Sequence, residues 1–209
     1  VSDPGAMFER LARALHPLHA APAGPEWNLA ELDGLLDAAT PVDAAVLLGL
    51  VERDAGLNVF LTLRNDGLRQ HAGQVSLPGG RVDPGDAGVL EAALREAREE
   101  IGLAAAQATP IGYLDPMRTI TGYRVVPVLA RVDAGFVAQP DPSEVAAVFE
   151  VPLAFLLAPE HLRESGIHYR GRVRPVLEFA PYPGAPEWRI WGVTASILYN
   201  LRTRLEALE

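Results

Sequence analysis

Three glutamates, Glu96, Glu99 and Glu100, stand at i, i+3 and i+4 in the stretch Leu77–Leu103. A helix turns about 100° per residue, so the three side chains gather on one side of it. Like charges at this spacing repel by about a few tenths of a kcal/mol per pair. Two readings are open from spacing alone. The face is simply solvated, with Arg95, Arg98 and the i, i+4 pair Glu91–Arg95 softening the charge. Alternatively a cation sits there, and an oxygen-only ligand set suits a hard ion such as Mg2+ or Mn2+. On the other side Leu90, Leu94, Ala97 and Ile101 form a narrow apolar stripe, which predicts the face turned to the core. Ahead of the helix stand Pro78-Gly79-Gly80 and the acidic turn Asp83-Pro84-Gly85-Asp86.

The flanking chain must position this helix. Apolar periodicity predicts helices over 7–18 and 29–38, bounded by Pro17 and by Thr40-Pro41. Short apolar runs predict strands at 44–51 and 59–64, joined through Asp54-Ala55-Gly56 as a hairpin, and a short strand at 74–77. After the acidic helix, strands are predicted at 111–114, 123–132, 144–151, 167–170, 173–179 and 188–192. A short helix falls at 152–157, and a terminal helix at 194–208 has Thr194 as its N-cap. Strands interrupted by one acidic helix and closed by another imply an α/β protein with a mixed sheet between helices.

Composition narrows the function classes. At 209 residues the chain can bury a full core without staples. It divides into an N-terminal helical extension, 1–41, and one domain, 42–209. With 0 Cys, disulfides, zinc-thiolate sites and a cysteine nucleophile are excluded, which fits a cytoplasmic protein. The net charge of −9 disfavours nucleic acid and anionic membranes as partners. No apolar run approaches membrane-spanning length, and no signal-peptide pattern is evident. The expected partner is therefore a small molecule, with the protein a monomer or homodimer.

The order Gly-Gly turn, acidic turn, Arg-Glu-Ala-Arg-Glu-Glu-Ile-Gly-Leu resembles the Nudix box, G-x5-E-x7-R-E-U-x-E-E-x-G-U, with U an apolar residue. Arg95, Glu96, Ala97, Glu99, Glu100, Gly102 and Leu103 match its second half without a gap. The first half departs: Gly80 precedes Arg95 by 15 residues where the pattern has 14, and Asp86 stands about where its first Glu would be. The resemblance implies a Nudix-type mixed sheet sandwiched between helices. It also implies hydrolysis of a nucleoside diphosphate linked to another group, with Mg2+ or Mn2+ as cofactor. By matching positions Glu96, Glu99, Glu100 and the Gly79 carbonyl are the expected metal ligands. Arg95 orients the glutamates, and Glu99, Glu100 or a later acid takes the proton of the attacking water. Glu144 is the expected later acid, with Asp141 a weaker choice and an ordinary loop acid the competing reading.

Further pieces resemble the coenzyme A pyrophosphatase branch of that family. They are Leu61-Thr62-x-Arg64, then Arg69 and Gly73 spaced before Leu77-Pro78-Gly79-Gly80, the extra residue in the box turn, Thr121-Gly122-Tyr123, and the run from Glu144 to Leu153. This resemblance implies coenzyme A or its thioesters as substrate. The extra phosphate of that substrate calls for arginine forks, and Arg69, Arg64, Arg118 and Arg124 are the candidates. Gly73 and Tyr123 complete the expected substrate-binding set. His71 beside Arg69 is either solvated or in reach of phosphate, and Trp188, Trp191 and Tyr199 read as core. The alternatives are an ADP-ribose or NADH pyrophosphatase of the same fold, or a non-catalytic binding module.

Overall fold

The computed structural model describes residues 3–32, 34–36, 40–67, 71–169 and 171–209. Helix α1, Pro4–Ala14, leads to strand β1, Val42–Arg53, and strand β2, Gly56–Arg64. Two short strands follow, β3 at Val75–Ser76 and β4 at Gly79–Arg81, and then the acidic helix α2, Val89–Ile101. Next come β5 (Ala108–Tyr113), β6 (Met117–Arg118), β7 (Tyr123–Val132), β8 (Val145–Pro152) and the short helix α3 (Leu153–Leu157). A hairpin of β9 (Leu162–Tyr169) and β10 (Arg172–Phe179) precedes the closing helix α4, Gly192–Glu206.

β1 is the axis of the main sheet. One of its edges carries β7 in parallel over Val42–Val51. The other edge is shared, with β4 on Ala44–Val46 and β2 on Leu50–Arg53, both antiparallel. The sheet is therefore mixed. β1 is buried on both faces, as its nearly unbroken apolar sequence requires. Alternate residues separate to two cores: Ala45, Leu47 and Val51 pack with Ala93, Ala97 and Ile101 of α2, whereas Ala44, Leu48 and Leu50 pack with Leu11 of α1 and Ile197 and Leu201 of α4. The sheet is sandwiched between helices, as expected.

Several predicted boundaries move, each for a local reason. α1 starts early because the Asp3 carboxylate accepts a hydrogen bond from Gly5 N at 3.1 Å and Pro4 suits the first turn. It stops at Ala14 because His16 forms a β-bridge with Tyr113. The helix predicted over 29–38 is only a 3-10 turn, Leu29–Leu32. Gly34 is left-handed at φ 68°, which ends any helix there, and residues 33 and 37–39 lie outside the described set. No strand forms over 188–192, where Trp191 makes one bridge to Glu178 and then serves as the N-cap of α4. Thr194 is therefore inside the first turn, and its hydroxyl donates to Val75 O at 2.9 Å instead of capping. The Gly79-Gly80 turn is itself a strand, β4.

The N-terminal segment shares the core of the rest. Leu11 is fully buried, His16 exchanges backbone hydrogen bonds with Tyr113 at 2.9 and 3.0 Å, and Asp115 contacts both His16 and Arg204 at 2.7 Å. Among the described residues no helix is long and apolar enough to cross a membrane.

Candidate active site

The three glutamates of α2 do not share one environment. Glu99 is half exposed, Glu96 mostly covered, and Glu100 is buried at 2% exposure. The expected core stripe is correspondingly rotated: Ala92, Ala93, Ala97, Glu100 and Ile101 are buried, while Leu90 and Leu94 are only partly so. What turns Glu100 inward is β4. Gly79 N donates to its Oε2 at 3.3 Å, and Arg64 Nη1 lies 3.5 Å from its Oε1.

Neither glycine of the turn has room for a side chain. A Cβ on Gly79 would come within 2.4 Å of Ala45 O, and one on Gly80 within 2.3 Å of a Glu96 oxygen. The missing side chains let β4 lie against β1 and α2 together, which brings backbone to the carboxylates.

Arg95 is the clamp of the site. Its Nε and Nη2 donate to the two oxygens of Asp86, both at 3.0 Å. Nη1 donates to Glu96 at 2.9 Å and Glu99 at 3.0 Å, and Nη2 also donates to Arg81 O at 3.0 Å. Asp86 accepts in addition from Asp83 N at 2.8 Å, so the acidic turn is tied to itself and to the helix. The extra residue of the turn is absorbed in this loop, and Asp86 has a definite partner.

Burial pushes the Glu100 carboxyl up to about 8 against the opposing pull of Arg64 and Gly79 N–H, and the charges of Glu96 and Glu144 add to the rise. Burial also raises Glu96, opposed by its bonds to Arg95, with Glu99 and Glu144 again adding to the rise. Asp86 is held below the usual carboxylate range by Arg95.

Glu144 reaches this group from the far side of the chain. Gln139 N and Asp141 N donate to the carbonyls of Ile101 and Glu100 at 2.9 and 3.0 Å, so the loop before β8 completes the end of α2. The Glu144 backbone is then held by Asn65 N at 2.8 Å and its own bond to Asp141 O at 3.0 Å. Its side chain is exposed. The Asp141 carboxylate accepts from Ser143 N and Oγ at 2.8 and 2.7 Å, which makes it a loop cap.

The arginines divide. Arg64 faces Glu100, as above. Arg118 Nη1 faces Glu26 at 3.5 Å, and the backbone of Arg118 is bracketed by the Asn28 amide. Arg124 donates to Pro22 O at 2.7 Å and lies 3.7 Å from Asp43. Arg118 and Arg124 thus hold the N-terminal segment. Arg69 falls outside the described residues. Gly73 is left-handed at φ 67° and donates to Arg64 O at 3.2 Å, closing the loop that starts at Arg64. His71 bonds Gln74 at 3.0 Å. Tyr123 accepts two hydrogen bonds from Arg81, a residue that sequence reasoning passed over because nothing in its type or spacing set it apart. Trp188 and Tyr199 are half-buried, Trp188 packing on Phe149 at the edge of the core and Tyr199 on Trp27.

As placed, no three acidic or imidazole side chains among the described residues converge closely enough to hold an ion. The donor chemistry nevertheless fits a hard divalent cation. Burial, with neighbouring carboxylate charge adding to it, raises the proton affinity of Glu96 and Glu100, Gly80 leaves no space for a side chain between backbone and Glu96, and every side-chain donor is oxygen.

A mixed sheet between helices, with the buried Glu100 and the mostly covered Glu96 against a glycine strand, defines the protein as α/β. Sequence comparison gives the family. The NUDIX domain model matches residues 40–170. The uncharacterized Nudix hydrolase NudL of Shigella boydii serotype 4 is 38% identical over 162 residues, covering 78% of this chain and 82% of that protein. NudL of Escherichia coli O157:H7 has the same identity and coverage, 38% over 162 residues. Among solved structures, the Nudix hydrolase RenU of M. smegmatis aligns with 26% identity and a TM-score of 0.48 over 56% of this chain and 73% of that one. This chain belongs to the Nudix family.

Proposed function

We propose that the protein is a divalent-metal-dependent pyrophosphohydrolase that cleaves coenzyme A or its thioesters to 3',5'-ADP and 4'-phosphopantetheine or its acyl form. The observation that carries the chemistry is Glu100, a carboxylate at 2% exposure beside Glu96, facing Gly79 N–H. A buried acid among acids is costly unless a cation joins it. Glu96, Glu99, Glu100 and the Gly79 carbonyl would hold Mg2+ or Mn2+. That ion, when bound, neutralises phosphate oxygens and lowers the pKa of a water. Arg95 fixes Glu96 and Glu99 in place through its bonds to both. Glu144, exposed and close enough to raise Glu96 and Glu100, would accept the proton of the attacking water. The coenzyme A assignment is supported by the chain's resemblance upstream and downstream of the box, from Leu61 to Leu153.

The test is incubation with coenzyme A and Mg2+ or Mn2+, with chromatographic separation of the two products. Turnover of ADP-ribose or NADH with coenzyme A untouched would overturn the substrate and keep the class. The Glu100→Gln variant is expected to lose about a hundredfold or more in kcat. Unchanged metal-dependent turnover in that variant would overturn the site.

A further inference from the structure

Arg81 is the last residue of β4, next to the glycine that touches Glu96. Its backbone carbonyl is held by Arg95, so its position is fixed by the same clamp as the glutamates. The side chain is exposed, and its Nε and Nη2 donate to Tyr123 Oη at 3.1 and 2.8 Å, with the guanidinium 5.5 Å from the ring centroid. Arg64, Arg95, Arg118 and Arg124 each face a carboxylate. Arg81 is instead oriented by a neutral phenol, so its charge is held in place without being neutralised by that partner. Two of its five donors are used on Tyr123, which leaves Nη1 and the second hydrogen of Nη2 to present a fork to an anion. Gly79 and Arg81 stand two positions apart on β4, about 7 Å along the backbone.

We infer that Arg81, oriented by Tyr123, binds a phosphomonoester carried on the substrate's ribose, one sugar away from the pyrophosphate. The inference rests on the coenzyme A reading, in which that group is the 3'-phosphate. Arg81 is then a specificity-determining residue: it distinguishes coenzyme A from the same molecule lacking that phosphate. Tyr123 is a positioning residue acting through Arg81.

The experiment compares wild type, Arg81→Gln and Tyr123→Phe on coenzyme A and on 3'-dephospho-coenzyme A. It is paired with calorimetric binding of 3',5'-ADP and 5'-AMP, which does not depend on turnover. Loss of one charge-assisted phosphate contact predicts a rise of about tenfold in KM for coenzyme A in Arg81→Gln. A much smaller rise is expected for the dephospho compound, and kcat should hold better than KM. Tyr123→Phe moves KM in the same direction by less. The preference for 3',5'-ADP over 5'-AMP narrows by about the same factor in Arg81→Gln. Equal losses on both substrates, or an unaltered nucleotide preference, would overturn the inference. Wild type that leaves coenzyme A intact would overturn the substrate reading instead, and the nucleotide preference still reports on Arg81 separately.

Discussion

Glu100 is a carboxylate held where water solvates it poorly, and that has a consequence for stability. In the metal-free protein its pKa is raised from the ordinary 4.5 to about 8, first by burial. Between those values the folded chain keeps a proton that the unfolded chain has released. Stability of the metal-free protein therefore falls as pH rises from about 4.5 to about 8. Glu100→Gln carries no such proton. Thermal unfolding with a chelator across this range should show a downward slope in wild type that the Gln variant lacks, and the variant should be at least as stable near pH 8. The same slope in both proteins would mean that another group controls it. The glutamates themselves were legible from their spacing. Their unequal burial was not, because what covers Glu100 is Gly79, 21 residues earlier.

The unit formed by the acidic turn and α2 depends on one side chain reaching back. Arg95 grips Asp86 with two bonds while holding Glu96 and Glu99 with a third nitrogen. Asp86→Asn keeps the shape of the turn and removes the charge that aims the guanidinium. Loss of such a supporting contact is expected to lower kcat and divalent-ion affinity by about ten- to a hundredfold, with α-helical content preserved. Metal titration by calorimetry alongside steady-state kinetics would check it, and wild-type values in both would show that Arg95 needs no turn. In the sequence the turn looks one residue too long and ends in Asp where Glu was expected. In the fold the additional residue is accommodated ahead of α2, and the shorter acid meets Arg95 directly.

Across the whole molecule, the segment before β1 is built into the structure. Leu11 is fully buried against the core that α4 covers, and Arg118 and Arg124 tie residues 22–26 to the sheet. Leu11→Ala is expected to cost about 2–5 kcal/mol, read as a lowered urea midpoint at unchanged slope. A loss confined to α1 with the rest of the protein unfolding as in wild type would show instead an independent extension.

The sequence by itself determined the acidic helix, the glycine turn ahead of it, most strands and the mixed-sheet class. These rest on local signals: periodicity, glycine placement, and the order of residues within one stretch. Only the tertiary structure decided which glutamate is buried, which arginines face carboxylates, and that Arg81 meets Tyr123, 42 residues away. Those outcomes depend on strands paired across long separations. β4 and β7 lie on opposite edges of β1, and their register brings Arg81 opposite Ala44 and Tyr123 opposite Val42. No local pattern encodes that meeting, because it is set by how the sheet closes around its central strand.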